Sequence, residues 1–313
     1  MARQIAENIQ AGQAKTARGR EKRTESTQPS ADQAAARAFF PRGLLQPEGS
    51  FRFSLDALLL ASFLEPGKCG KVLDIGTGCG VVALGMLCRY PGIRVVGIDR
   101  ETLLAEAAIH NAAQMGFSNS FDAICIDAGN QGLFAKKQQF PSKTPEIAER
   151  AVEIVSNPFP EGGRFTPLAS GSFDLALANP PYREPGRGRL PHGRLRRSAL
   201  FEEDGSLDAF CSCAFLALKD QGRFGLIYPS ARITKLLQAL ERNGLAPMTA
   251  LPVHTKTEAP PKLTLLASVK CVPTSSVTFE SLPPLVLYQD GENGRLTEQA
   301  LAFCPFLNAA GAK

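Results

Sequence analysis

Two short clusters in this 313-residue chain have residue types and spacing that can do chemistry. The first is Val72-Leu-Asp-Ile-Gly-Thr-Gly-Cys-Gly80. Glycines at 76, 78 and 80 let a backbone approach a ligand closely. A helix starting after Gly80 would point free N–H groups at that ligand. Asp99 lies 19 residues past Gly80, at the end of the next expected strand. An acid there takes the ribose hydroxyls of a nucleoside cofactor. A dinucleotide site would want Gly-x-Gly-x-x-Gly and room for a pyrophosphate, which Asp74 would repel. Asp74 instead suits a ligand carrying an ammonium group, as the methionine half of S-adenosylmethionine does. Asp127 ends a third expected strand on the same rim, within reach of an adenine amino group. The competing readings are a tight turn that binds nothing and a plain turn aspartate.

The second cluster is Asn179-Pro180-Pro181-Tyr182, at the carboxyl end of a fourth expected strand, where ligands bind in such sheets. An exocyclic amine conjugated to a ring or a carbonyl is a poor nucleophile, because its lone pair is delocalised. Two acceptors on its two N–H groups favour a pyramidal nitrogen. The Asn179 side-chain oxygen and the Pro180 carbonyl can supply them. Two prolines stiffen the loop, so the positioning is built in beforehand. Tyr182 can stack on a flipped base. A proline-rich turn is the bland alternative, but the glycine turn about 100 residues upstream makes amino-group methylation the better reading.

These clusters need elements to hold them. Ser54 is placed to cap a helix through Leu64. Strands are expected at 71–75, 94–99, 121–127, 173–178 and 222–228. Helices are expected at 81–89, 102–115, 207–219 and 233–243, with further strand-like runs at 248–254 and 263–270. Strands alternating with helices argue an α/β chain with a parallel, doubly wound sheet. Residues 129–171 are too long for a plain connection and read as an insertion with a helical piece at 146–155. Residues 1–38 carry seven basic and four acidic side chains but only two large aliphatics, and read as a disordered basic arm, with an amphipathic helix of no particular role as the equal alternative. The catalytic domain is expected over 39–305, followed by a short tail, 306–313.

Composition narrows the field. Hydrophobic residues make up 44% and charged residues 21%, which is globular. No apolar run approaches the roughly 18 residues needed to span a bilayer. The N-terminus has no apolar core of a secretory signal, so a cytoplasmic protein is expected. None of the eight cysteines forms a Cys-x-x-Cys pair, so reduced, packed thiols are expected rather than a metal site or disulfides. Cys211 and Cys213 invite a thiol mechanism but lie in an apolar helical run. Arg183, Arg187, Arg189, Arg194, Arg196 and Arg197 face a single acid, Glu184, in a glycine-rich loop (183–200) directly after the tetrad. That loop is placed to meet phosphates around a target base.

Taken together, the motifs resemble those of the bacterial tRNA(Val) (adenine-N6)-methyltransferases, within the class I S-adenosylmethionine-dependent superfamily. The similarity runs from about residue 51 to 288. It rests on Phe51-Arg-Phe-Ser-Leu-Asp56, Val72–Gly80, Gly97-Ile-Asp99 and Asn179–Tyr182, with Gly222-Arg-Phe, Val253-His254 and Pro284-Leu-Val-Leu-Tyr288 as C-terminal signatures. The resemblance implies a Rossmann-like fold, with a seven-stranded, mostly parallel sheet and helices on both faces. It implies S-adenosylmethionine as cofactor, tRNA as partner, no metal and a monomer. It also places Arg52 and Asp56 near the methionine end of the cofactor; a solvated arginine and a helix-start aspartate are the alternatives. Here Asp99 replaces the family's usual glutamate, and Ser198-Ala-Leu-Phe-Glu202 stands where an Ala-Arg-His-Glu stretch is usual. The expected reaction is in-line methyl transfer to the N6 amine of an adenine in tRNA. Glutamine N5-methylation of a protein and DNA methylation use the same tetrad chemistry. A non-catalytic RNA-binding module is the alternative of another class.

Overall fold

The structure is a computed structural model that describes residues 28–50, 52–67, 70–135, 168–182, 205–271, 276–290 and 294–311. The helices are α1 (Ala31–Phe39), α2 (Leu55–Phe63), α3 (Val81–Arg89), α4 (Thr102–Gln114), α5 (Ser206–Ala217), α6 (Ile233–Arg242), α7 (Glu298–Phe303) and α8 (Phe306–Gly311). The main strands are β1 (Lys71–Ile75), β2 (Arg94–Asp99), β3 (Phe121–Cys125), β4 (Phe173–Ala178), β5 (Leu218–Pro229), β6 (Leu245–His254) and β7 (Pro261–Lys270). They lie in the order β3-β2-β1-β4-β5-β7-β6. The first five are mutually parallel, and β7 runs antiparallel to both neighbours. Two further two-residue strands, Glu280–Ser281 and Leu285–Val286, pair with β6. Among the described residues the sheet therefore has nine strands where seven were expected.

The strands are near-continuous apolar runs because both faces are covered. Along β1 and β4, side chains alternate between two cores. Val72, Leu175 and Leu177 pack with α2, α3 and α4, whereas Leu73, Ile75, Ala176 and Ala178 pack with α5 and α6. The register Ile75↔Ile98 and Ile75↔Ala178 brings the carboxyl ends of β2, β1 and β4 to one rim. Asp99↔Cys125 adds β3. Strand order reverses between β1 and β4, which opens a crevice at that rim.

Two expected boundaries move. Part of the arm placed at 1–38 is ordered: Ser30 and Gln33 form a reciprocal capping box at the start of α1. The Arg37 guanidinium donates to the Met115 and Gly116 carbonyls, at 2.7 and 3.2 Å, and lies 4.1 Å from the Phe117 ring centroid. A cation is favoured there, at the C-terminal end of α4. The tail placed at 306–313 also packs: Phe306 meets Phe40 edge-on at 4.9 Å, and Leu307 is fully buried. Ser54 occupies the cap position of α2 but makes no side-chain capping bond. Within 129–171, Phe134–Ala135 pairs with Leu168–Ala169. The helical piece expected at 146–155 lies outside the described residues. Among the described residues, no helix is long and apolar enough to cross a membrane.

Candidate functional site

A cavity of about 350 Å³ opens at this rim. One wall is the glycine turn. The Gly76 and Thr77 N–H groups both donate to the Ile98 carbonyl, at 2.8 and 2.9 Å, which ties the turn to β2. Gly76, Gly78 and Gly80 have φ of +72°, +56° and +90°, a region L side chains rarely enter. Their uses differ. A Cβ on Gly78 would meet nothing within 4 Å and would stand in the open cavity. A Cβ on Gly80 would lie 3.2 Å from the Ala108 Cβ, so that glycine serves close packing of α3 on α4 and is absent from the cavity wall.

Asp99 faces the cavity from the end of β2 and is 9% exposed. One of its oxygens accepts from the Gly78 N–H at 2.9 Å and the other from the Glu101 N–H at 3.0 Å. Each oxygen keeps a further lone pair for a hydroxyl donor. Burial pushes its pKa up, while those two N–H bonds pull it down. Asp74 is placed differently from the expectation: it is 1% exposed, lies beneath the turn and does not line the cavity. It accepts from the Thr77 hydroxyl at 2.7 Å, and burial pushes its carboxyl up to about 7. Asp127 is exposed at the cavity edge and accepts from the Gly129 N–H at 2.7 Å.

The opposite wall is the tetrad. Asn179, Pro180, Pro181 and Tyr182 all line the cavity. Among the described residues, the buried Asn179 side-chain oxygen has no hydrogen-bond partner. An unpaired buried acceptor is costly, so it marks a place where a ligand's donor fits. Tyr182 is held at three points. Its hydroxyl donates to Asp56 at 2.8 Å, its ring meets Tyr228 edge-on at 6.4 Å, and its carbonyl accepts from Arg232. The Arg232 guanidinium also lies 5.7 Å from the Tyr228 ring centroid. Tyr182 is thus a fixed, half-buried residue of the wall. Asp56, on the first turn of α2, joins the wall, but Arg52 is exposed and does not line it. The arginines at 183, 187, 189, 194, 196 and 197 lie outside the described residues.

The structure also brings in residues that the sequence did not mark. Glu101 is 9% exposed in the wall, and Phe210 of α5 covers the turn; a Cβ on Gly76 would come within 3.1 Å of its ring. Glu101 carried a weak signal, two residues past Asp99. Phe210 and Arg232 carried none, because only the packing of α5 and the end of β5 bring them to the rim. Cys211 and Cys213 are buried in α5, and desolvation pushes both thiols up to about 12, which leaves neither nucleophilic.

Among the described residues, the charged side chains in the wall are Asp56, Asp99, Glu101 and Asp127, against one base, Arg100. This set repels a pyrophosphate. It fits a ligand with ribose hydroxyls and a positive charge, and the space over Gly78 leaves the ligand room.

No protein-family model matches the chain. The chain is similar to several curated tRNA1(Val) (adenine(37)-N6)-methyltransferases. The one from Porphyromonas gingivalis is 30% identical over 191 residues, covering 60% of this chain. The match spans 62% of that relative's length. The one from Pseudoalteromonas translucida is 24% identical over 82% of this chain and 90% of its own. A release factor glutamine methyltransferase from Vibrio cholerae is 29% identical over 44% of this chain and 37% of its own. Among solved structures, a protein described as a predicted O-methyltransferase from Agrobacterium tumefaciens superposes with a TM-score of 0.55. It is 16% identical, over 80% of this chain and 96% of its own. The fold is the Rossmann-like fold of class I methyltransferases.

Proposed function

We propose that this protein methylates the N6 amine of an adenine in tRNA, with S-adenosylmethionine as methyl donor. The observation that carries the reading is the unpartnered Asn179 oxygen, held in the wall of the cavity that the glycine turn also lines. When bound, S-adenosylmethionine supplies an electrophilic methyl group on a sulfonium. Gly76, Gly78, Asp99 and Asp127 hold it at its nucleoside end, and the acidic wall favours its positive charge. Asp74 acts from below the turn, through Thr77 and through its charge. Asn179 and the Pro180 carbonyl each accept one N–H of the target amine, which aims the nitrogen lone pair into the cavity. No general base of matched pKa is required, because the amine becomes cationic as it gains the methyl as its second carbon substituent, and a nitrogen in that state, still bonded to the electron-poor ring, sheds one of its two protons readily.

The names of the similar proteins support tRNA as substrate, and adenine 37 of tRNA1(Val) is the first site to test. The shorter similarity to a release factor glutamine methyltransferase supports a second reading, a protein amide nitrogen in the same two-acceptor grip. Methyl-labelled S-adenosylmethionine, incubated with unmodified tRNA and separately with a glutamine-bearing release factor, separates the two. Label recovered as N6-methyladenosine after nucleoside digestion is the expected result. Label only in protein would replace the first reading with the second.

A further inference from the structure

The rim that holds Asn179 continues past β4. Ala178 pairs with Leu226 in parallel, so β5 also ends there. Pro229 pairs with Leu263 in the antiparallel sense, so β7 begins there, and Val253 pairs with Leu263, so β6 ends there. The loop after β5 and the β6–β7 hairpin therefore stand in line with the tetrad, on the side away from β2 and β3. Three inter-strand spacings put the hairpin about 14 Å from the tetrad, a reach of a few nucleotides.

Charge divides this rim. The β2–β3 side carries Asp99, Glu101 and Asp127 against Arg100. Among the described residues, the β5–β7–β6 side carries Arg232, Lys235, Lys256 and Lys262 against Glu258. Lys235, Lys256 and Lys262 are exposed. On the neighbouring helices, Arg242 bonds Asp208 through both side-chain branches, and Lys235 shares that aspartate's field. Beyond the hairpin, the segment that follows the Tyr288 N–H bond to the Thr255 carbonyl carries Asp290 and Glu292 against Arg295 in sequence. A polyanion is repelled from one side of the tetrad and attracted to the other.

We infer that the RNA backbone leaves the target nucleotide over β5 and crosses the β6–β7 hairpin, where Lys256 and Lys262 contact its phosphates. This rests on the reading of the substrate as RNA. The test is methyl transfer to tRNA measured against salt concentration, for wild type and for a Lys256→Gln/Lys262→Gln double variant. Affinity for S-adenosylhomocysteine is measured alongside. Both lysines lie outside the cavity wall, so kcat and cofactor-product affinity are expected to stay as in wild type. KM for tRNA is expected to rise about tenfold. The slope of log KM against log salt is expected to fall by about 1.5, because two phosphates no longer have a lysine partner. Lys71→Gln, on the opposite rim at the start of β1, is expected to leave that slope unchanged. A wild-type slope in the double variant, or equal flattening in Lys71→Gln, overturns the inference while the RNA reading stands. A wild type that methylates a protein amide and no RNA overturns both.

Discussion

On the proposed reading, the wall at residues 76–79 meets its ligand with backbone, held by bonds to the Ile98 carbonyl of β2 and left bare by a glycine whose missing Cβ leaves the binding space. The wall at residues 179–182 meets its ligand with a side chain, on a loop fixed from far away in sequence. Asp56 reaches Tyr182 across 126 positions, and Arg232 across 50. The first wall is robust to most side-chain changes and intolerant of an added atom. The second depends on particular side chains and on residues distant in sequence, one of which, Arg232, lies outside the cavity wall. The two should therefore fail differently, the first in affinity and the second in rate.

The largest expected effect is on the second wall. Asn179→Ala should slow single-turnover methylation by about a thousandfold, as loss of one charge-stabilising partner does in other enzymes. Calorimetry should find S-adenosylhomocysteine binding unchanged. Equal losses of rate and affinity would erase the division between the walls. Gly78→Ala should do the reverse. The new Cβ meets no protein atom within 4 Å, so it fills ligand space instead. Cofactor affinity should drop by about thirtyfold, the overpacking cost of about 2 kcal/mol, with only a modest change in melting temperature.

Arg232→Ala tests whether the distant clamp matters. Losing its bond to the Tyr182 carbonyl should lower kcat about tenfold, with cofactor affinity kept and partial recovery in Arg232→Lys. An unchanged kcat would mean that the prolines alone fix the loop.

The smallest effect concerns Asp74 and is read from pH. Its carboxyl rises from 3.8 to about 7 on folding. Between those values the unfolded chain has released the proton and the folded chain has not, so stability falls as pH climbs through this range and levels off above 7. Asp74→Asn should flatten this part of a denaturation-against-pH profile. A positively charged ligand favours the ionised carboxyl, so wild-type cofactor affinity should strengthen as pH passes 7. In the Asn variant that step should shrink. A step of wild-type size would remove Asp74 from the cofactor's field.

The sequence alone carried the frame. Lys71–Ile75, Val81–Arg89, Arg94–Asp99 and Phe173–Ala178 fold over the residues that their periodicity and flanking glycines marked. Each is a local pattern: an apolar run buried on two faces, or a helix opened by a glycine. The two reactive clusters were legible for the same reason, since their chemistry lies within a few consecutive residues. Burial and long-range pairing were not. Asp74 reads like a ligand contact, yet the turn folds over it and leaves it desolvated beneath Thr77. Arg52 directly precedes the wall residue Phe53 and is itself exposed. Residues 31–38 lack large aliphatics, and their order comes with the Ser30–Gln33 capping box, Ala36 against the core and Arg37 reaching carbonyls 78 and 79 positions away. Phe210, Glu101 and Arg232 reached the site, and two short strands joined the expected seven, only through packing and register. A chain's own sequence determines what a segment of a few residues can form, because those forces act between neighbours. Which segments meet, and which charges lose their water when they do, is decided only when the sheet and its two helical layers close.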